Sequence, residues 1–252
     1  MNVCSVNQKD IEEGLKKLPL PENPVLLVHS SLKSFGYVEG GAQAVINALL
    51  GICGSKGTLA MPTLSYQSVR EDEPFFSVNE TPSGTGYLTE VFRKMPGVKR
   101  SSHIFASLAA YGDSAHYLTD WHNDTPCGPG SPYWKIIEMK GFSLFLGASL
   151  SSNSLFHCAE DYVHPDYLRY KVIRNARVQD GEGNVRISDF RRYDCSQQGI
   201  IRKLDRMEVI FKNNHVLHEV QIGNSRVILL KAEDNFRLSC RLLEEKPEYI
   251  IE

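Results

Sequence analysis

The sequence has 252 residues, with 28 Lys and Arg against 30 Asp and Glu, which gives a formal charge of −2. This balance excludes a strongly basic nucleic-acid-binding protein, and 42% hydrophobic with 23% charged residues excludes a disordered or fibrous chain. No stretch reaches the roughly 18 apolar residues that span a bilayer, and the N-terminus lacks the apolar run of a signal peptide. We therefore expect one cytoplasmic globular domain over residues 1–252, with no membrane or nucleic-acid partner; a homo-oligomer is compatible with this composition.

The first part of the chain alternates predicted helices and strands. Apolar residues at helical spacing predict a helix over residues 8–18, which Pro19 ends, and short apolar runs predict strands over residues 24–29 and 57–63. Further helices are predicted over residues 42–50, 86–94 and 133–139, and further strands over residues 108–111 and 143–147. This alternation predicts an α/β fold with parallel strands.

The chain changes character in two places. Residues 66–83 are polar and irregular, which predicts a long surface loop. After Arg169 the segments 172–178 and 185–187, separated by a Gly-rich turn, predict a hairpin. We therefore expect an α/β core over about residues 8–165 and a β-richer C-terminal part over about residues 166–252.

The cysteines give no sign of a zinc site or a disulfide framework, because none of them are paired at metal-ligand spacing. We expect most of them to be free and buried. They are Cys4, Cys53, Cys127, Cys158, Cys195 and Cys240.

Three stretches carry motifs that occur together in one family. The first is Val28-His-Ser-Ser-Leu32, followed by the strand that ends at Thr63; the second includes Arg100-Ser-Ser-His103; the third includes Asn153-Ser-Leu-Phe-His157-Cys-Ala-Glu160. In this order they resemble the aminoglycoside 3-N-acetyltransferase family over about residues 8–165. The resemblance implies an α/β/α layered fold with a mostly parallel central sheet, distinct from the common GNAT fold. It also implies acetyl-CoA or another short acyl-CoA as donor, no metal, and direct transfer to an amine.

The reaction needs a base, because an amine is protonated near neutral pH and attacks a thioester only after losing a proton. Neutral imidazole suits this task. The resemblance places the catalytic histidine at His157, and Glu160 is close enough on a helix face to fix the ring tautomer. We expect a rate that rises with pH through the histidine range and then levels off.

The thioester carbonyl becomes an oxyanion during the attack, so hydrogen-bond donors must face it. Backbone N–H groups or hydroxyls near Ser30 and Ser31, at the end of a predicted strand, are candidates. The resemblance implies that this segment holds the pantetheine arm and that the Arg-Ser-x-His stretch lies nearby. The residues assigned to the coenzyme are His29, Ser30, Ser31, Leu32, Thr63, Arg100, Ser101, His103 and Ser107.

The sequence departs from the family pattern in informative places. The usual His-Pro-x-His run reads His103-Ile-Phe-Ala106, so the proline and the second histidine are absent. A position that is usually threonine reads Ser154, which keeps the hydroxyl. The C-terminal third departs most, and this part should shape the acceptor site.

Two acceptor classes follow from the charges. An aminoglycoside carries several ammonium groups, which Glu71, Asp72, Glu73 and Asp161 would attract. A biosynthetic amino sugar linked to a nucleotide would instead present a diphosphate to basic residues such as Arg169. We favour the biosynthetic amino sugar, because the departures gather at the expected acceptor site; the alternative is an aminoglycoside acetyltransferase that confers antibiotic resistance.

Three rival interpretations remain open. His157, Glu160, Asp161 and His164 share a helix face and would form a metal cluster, although the spacing lacks a H-E-x-x-H signature. Cys158 would act as a nucleophile, although adjacent residues of a helix do not face each other. A non-catalytic binding protein would keep the fold without the chemistry.

Overall fold

The computed structural model describes residues 5–252. Its strands are β1 (Ser5–Val6), β2 (Val25–Ser30), β3 (Tyr37–Val38), β4 (Thr58–Pro62), β5 (Phe75–Ser77), β6 (Lys99–Arg100), β7 (Leu108–Gly112), β8 (Phe142–Leu146), β9 (Tyr170–Gln179), β10 (Val185–Tyr193), β11 (His218–Ile222) and β12 (Ser225–Lys231). Its α-helices are α1 (Gln8–Leu15), α2 (Gly41–Cys53), α3 (Tyr87–Arg93), α4 (Ala115–Thr119), α5 (Pro132–Glu138), α6 (Ser154–Val163), α7 (Met207–Asn213) and α8 (Ala232–Glu245).

A seven-stranded sheet lies at the centre, in the order β11-β12-β8-β2-β4-β7-β6. Strand β2 pairs in parallel with both β8 and β4, as the strand–helix alternation predicts. The other four strand pairs of this sheet are antiparallel: β11–β12, β12–β8, β4–β7 and β7–β6. The α/β fold is thus confirmed, with the parallel pairing at the centre of the sheet.

Helices cover both faces of this sheet. On β2, Leu26 and Val28 pack into the cluster formed with α1, α2 and α3, whereas Leu27 packs into the cluster formed with α4 to α8. All three leucine and valine side chains are fully buried. A strand covered on both faces is continuously apolar, which explains why this run was visible in the sequence. The result is the expected α/β/α layering.

The predicted hairpin is present as the antiparallel pair β9–β10, and both strands are longer than predicted. The predicted loop over residues 66–83 is not wholly irregular, because it contains β5, which pairs with β9. This second sheet encloses a small core of its own, to which Phe76 and Phe190 contribute. Strand β12, which the sequence pattern does not predict, extends the central sheet next to β8.

No helix within residues 5–252 is long and apolar enough to cross a bilayer. The five cysteines in that range are free and buried, as expected, and Cys4 lies outside the described residues.

Candidate active site

The central strands lead directly to helix α6, which carries the predicted catalytic residues. After β8 the chain turns at Gly147, where φ is +69° and a Cβ would stand 1.7 Å from Ser34 Oγ, so that only glycine fits. Asn153, the N-cap residue of α6, is buried and exchanges two amide hydrogen bonds with Asn235, at 3.0 and 2.9 Å. These contacts fix the start of α6 against α8.

His157 and Glu160 are in direct contact on α6. His157 Nδ1 lies 2.5 Å from Oε2 of Glu160, whose side chain is completely buried, while 20% of the His157 side chain is exposed. Two further groups donate to this carboxylate: Arg202 Nη1 to Oε2 at 2.8 Å and Tyr167 Oη to Oε1 at 2.7 Å. With Nδ1–H assigned as the donor to Glu160, Nε2 of His157 remains available to accept a proton.

The charge state of Glu160 follows from these partners. Burial alone would raise the pKa of this carboxyl group, but the proximity and hydrogen bond of His157, the charge of Arg202 and the hydrogen bond of Tyr167 together lower it. Glu160 is therefore an ionised carboxylate, held by hydrogen bonds from three neighbouring side chains.

Two cavities meet at His157. The large cavity has a volume of about 320 Å³ and the small cavity about 200 Å³. They share Leu64, Ser154 and His157 as lining residues. One imidazole therefore faces two compartments, which is the arrangement that transfer between two bound molecules requires.

The small cavity is rich in hydroxyl groups and begins at the carboxyl end of β2. Its lining includes His29, Ser30, Thr85 and Thr89. Ser31 and Leu32 do not line it, and the Ser31 N–H donates to the carbonyl of Leu146 at 3.0 Å. The expected backbone donor at Ser31 is therefore already used within the protein, and Ser30 is the residue of this pair that lines the cavity.

Arg100 is buried in a network that belongs to the protein. Its Nε donates to the hydroxyls of Thr63 and Ser107, both at 3.1 Å, and its terminal nitrogens donate to the carbonyls of Thr63, Val78 and Thr81. A coenzyme phosphate would have to displace these bonds. Arg100, Thr63 and Ser107 line neither cavity, so this geometry gives them a structural part beside the site.

Ser101 and His103 also have protein partners. His103 Nδ1 accepts from the backbone N–H groups of Phe105 and Ala106, and its Nε2 lies 3.2 Å from the carbonyl of Asp124. Ser101 Oγ accepts from the N–H of Leu108 at 2.9 Å. Neither residue lines the cavities, because the stretch folds inward and ties its own backbone together.

The acidic residues predicted for the acceptor are paired with cations of the chain. Glu71 contacts Lys171 and Arg192, Asp72 contacts Arg70, and Glu73 contacts Arg177, as the ion pairs of this surface show. Arg169 donates to the carbonyls of Asp166 and Leu168 and lines neither cavity. The predicted acceptor residues are thus not gathered around His157.

Asp161 has a different environment from the one predicted for it. Its carboxylate accepts from Thr125 Oγ1 at 2.5 Å, from Tyr193 Oη at 2.9 Å, from Tyr170 Oη and from the N–H of Cys127. The Tyr193 ring lies 5.0 Å from the His157 ring and lines the large cavity. Asp161 therefore contacts Tyr193 from behind and lines neither of the two cavities at His157.

Two rival interpretations fail on this geometry. Within residues 5–252 no three His, Cys, Asp or Glu side chains are grouped as metal ligands. Asp161 bonds to other groups, and His164 caps α6 with a φ of +53°. Cys158 is completely buried, and burial raises the pKa of its thiol well above the usual value, so it is not a thiolate nucleophile.

Sequence reasoning missed the basic and aromatic groups that complete the site. Arg202, Tyr167 and Tyr193 come from the segment after α6, where no motif marks them. Arg192, at the end of β10, lines the large cavity with Arg202.

Comparison with known proteins gives consistent results. A family model described as aminoglycoside 3-N-acetyltransferase matches residues 27–244. The SPbeta prophage-derived aminoglycoside N(3')-acetyltransferase-like protein YokD of Bacillus subtilis is 36% identical over 174 residues, covering 61% of this chain and 64% of that protein, somewhat less than two thirds of its length.

Two further proteins extend the comparison. The aminoglycoside N(3)-acetyltransferase III of Salmonella is 35% identical over 195 residues, covering 69% of this chain and 68% of that protein. The crystal structure of aminoglycoside acetyltransferase AAC(3)-Xa superposes with a TM-score of 0.85 at 27% identity, covering 96% of this chain and 93% of the other. The likeness therefore extends over the whole layered fold, including the C-terminal part.

Proposed function

Since this chain belongs to the aminoglycoside 3-N-acetyltransferase family, we propose that it transfers an acetyl group from acetyl-coenzyme A to a primary amine of an aminoglycoside. The observation that carries the proposal is the place of His157, whose Nδ1 is held by buried Glu160 while the ring lines both cavities. A donor of this kind also favours a cytoplasmic enzyme.

The two substrates have separate places in this proposal. The thioester end of acetyl-CoA occupies the small cavity, because Ser30 lies there at the carboxyl end of a parallel strand, where ligands of open α/β sheets bind. The amine enters from the large cavity. Ser154, which lines both cavities, lies between the substrates.

The reaction then follows from the residues around His157. Nε2 of His157 takes a proton from the neutral primary amine as the amine nitrogen attacks the thioester carbonyl carbon. The carboxylate of Glu160 stabilises the imidazolium that forms. The C–S bond breaks, the proton passes to the sulfur, and CoA leaves as the thiol. Arg202 and Tyr167 hold Glu160 in place, so the neutral imidazole carries its proton on Nδ1 before the attack and after CoA has left.

The sequence and the similar proteins favour different acceptors. The sequence alone favoured a biosynthetic amino sugar, whereas the names of the similar proteins favour an aminoglycoside. One observation supports a second candidate, an amino sugar that carries an anionic group: the described residues lining the large cavity include Arg192 and Arg202 but no Asp or Glu, and the carboxylates that pair with these arginines, Glu71 and Glu160, lie outside that lining. Guanidinium groups favour phosphate or carboxylate over ammonium.

Release of free thiol from acetyl-CoA distinguishes the two candidates. We expect aminoglycosides with a free 3-amino group to stimulate release, and aminoglycosides without one to have no effect. Stimulation by a nucleotide-linked amino sugar alone would support the anionic acceptor. No release with any amine would contradict both.

Arg192→Gln adds a specific control. It should raise the KM of an anionic acceptor roughly tenfold or more, because a charge-assisted hydrogen bond is lost, and leave the KM of an aminoglycoside unchanged or lower. Expression of the chain in a sensitive bacterium then shows whether the activity protects against these antibiotics.

A further inference from the structure

Asp161 on helix α6 is a buried carboxylate that binds four hydrogen-bond donors from other parts of the chain. Only 6% of the residue is exposed, and all four donors are uncharged. Oδ2 accepts from Thr125 Oγ1 at 2.5 Å and from the N–H of Cys127 at 3.2 Å, and Oδ1 accepts from the hydroxyls of Tyr193 and Tyr170. A carboxylate removed from water is stable only where such donors replace it, so the charge and the four contacts depend on each other.

Two of these partners belong to walls of the large cavity. Cys127, from the loop before α5, and Tyr193, at the end of β10, both line it. The third wall residue is His157, one turn before Asp161 on the same helix. The Tyr193 ring lies 5.0 Å from the His157 ring, and Tyr193 Oη lies 3.3 Å from the His157 carbonyl oxygen. One carboxylate therefore fixes two walls of the large cavity relative to the helix that carries the base.

Tyr193 and Tyr170 differ only in the cavity that each one lines. The two residues are directly opposite each other in the β9–β10 pair and donate to the same oxygen of Asp161. Tyr193 lines the large cavity, whereas Tyr170 lines a separate cavity of about 300 Å³ together with Thr125 and Asp161. Burial raises the pKa of both phenols, and the charge of Asp161 raises it further, so both remain protonated donors near neutral pH.

We infer that Asp161 is a positioning residue for the acceptor: by fixing Tyr193 and the loop of Cys127 to α6, its carboxylate holds the walls that place the amine beside His157. This inference rests on the proposed function, because it takes the large cavity as the acceptor site. The role differs from the attraction of an ammonium group that the sequence predicted, since both carboxylate oxygens already have partners in the protein. The four partners of the carboxylate do not line the small cavity, so the donor should be unaffected.

The experiment compares Tyr193→Phe with Tyr170→Phe, because each variant removes one hydroxyl from the same oxygen. Tyr193→Phe should lower kcat/KM for the acceptor at least about tenfold, since a misplaced amine reacts more slowly. The KM for acetyl-CoA should stay within about twofold of the wild type. Tyr170→Phe should change both quantities less than about twofold, because Asp161 keeps its bond to Tyr193. The Tm should fall by a similar amount in both variants. The acceptor is an aminoglycoside with a free 3-amino group, or a nucleotide-linked amino sugar if only that compound stimulates thiol release.

A double-mutant cycle isolates the bond between Tyr193 and Asp161, because Tyr193 also contacts the carbonyl of His157. Asp161→Asn keeps the shape of the side chain but replaces one accepting oxygen by an NH₂ group. We expect this change to lower kcat/KM for the acceptor in the wild type and in Tyr170→Phe alike. In the Tyr193→Phe background the further loss should be at least about threefold smaller, because the connection to the cavity wall is already broken there.

Several outcomes would overturn the inference. Equal losses of acceptor kcat/KM in Tyr193→Phe and Tyr170→Phe would show that Asp161 only stabilises the fold. The same holds for a Tyr193→Phe variant within about twofold of the wild type, or for a loss that lies in the KM for acetyl-CoA. If Asp161→Asn does not fold, the comparison of the two tyrosine variants still decides. A wild type that acetylates no amine refutes the proposed function and this role with it, whereas an active wild type with an unaffected Tyr193→Phe variant refutes only the role of Asp161.

Discussion

Arg202 provides a quantitative test of the buried ion pair behind the proposed base. Its Nη1 lies 2.8 Å from Oε2 of Glu160, a carboxylate with no exposed surface, and 18% of the Arg202 side chain is exposed. Removing one partner of a buried ion pair typically costs about 3–5 kcal/mol of unfolding free energy. Because His157 and Tyr167 still contact the carboxylate, we expect Arg202→Met to cost about 3 kcal/mol, at the lower end of that range.

A double-mutant cycle with Glu160→Gln isolates this pair from other effects. Urea unfolding at about pH 7.5 gives the free energy of each variant. We expect Arg202→Met to cost about 2 kcal/mol less in the Glu160→Gln background, since no buried charge is then left unpaired. Arg206→Met serves as a control, because Arg206 is an exposed residue that donates to the backbone carbonyls of Tyr249 and Ile251 and has no carboxylate partner among residues 5–252.

Activity supplies the second half of this test. Without Arg202 the carboxylate is less firmly held, and kcat should fall while the affinity for CoA is retained. A coupling energy below about 0.5 kcal/mol would refute the reasoning, because it would mean that Glu160 does not depend on this arginine for its charge.

Further predictions concern stability and reactivity. The pKa values of His29 and His103 in the fold, about 3 and about 4, lie below the ordinary 6.5, mainly through burial. As the pH falls through 6.5, the unfolded chain therefore binds more protons than the folded chain. Each of the two histidines should lower the unfolding free energy by about 1.4 kcal/mol when the pH falls from about 7.5 to about 5.5. An unfolding free energy, measured in urea, that does not change over this range would contradict the burial of these residues. Arg100→Met should lower the unfolding free energy by about 2–3 kcal/mol because it leaves buried carbonyls unpartnered, and a variant as stable as the wild type in urea would be inconsistent with the network. Cys158 should react with a thiol reagent only after denaturation, since burial raises the pKa of its thiol; rapid labelling of Cys158 in the native protein, located by peptide mapping, would count against this.

The sequence predicted the parts of the fold and site that depend on local patterns. Strand β2 was visible because it is apolar on both faces, and the contact between His157 and Glu160 was predicted from a spacing of three residues on one helix. The hairpin β9–β10 was predicted from its turn and alternating pattern.

The sequence did not predict contacts between residues far apart in the chain. Arg202 meets Glu160 across 42 positions, and no local signal marks such a pair. The expected contact of Arg100 with the coenzyme did not take into account the carbonyls that the loop before α3 brings to this arginine. Likewise, Glu71 was expected to attract a ligand but meets Arg192 of the hairpin, because β5, which follows the loop that carries Glu71, joins the sheet of β9 and β10.

The central claim is that His157 takes the proton of an amine while an acetyl group passes directly from acetyl-CoA. The most direct measurement compares the wild type with His157→Gln, using mass spectrometry to follow acetylation of an aminoglycoside with a free 3-amino group and of the protein itself. We expect the variant to form acetylated product about 10²-fold to 10⁴-fold more slowly, with CoA binding retained and no acetyl group on either protein. A variant that acetylates the acceptor at nearly the wild-type rate, or an acetylated protein that accumulates without acceptor, would contradict the account.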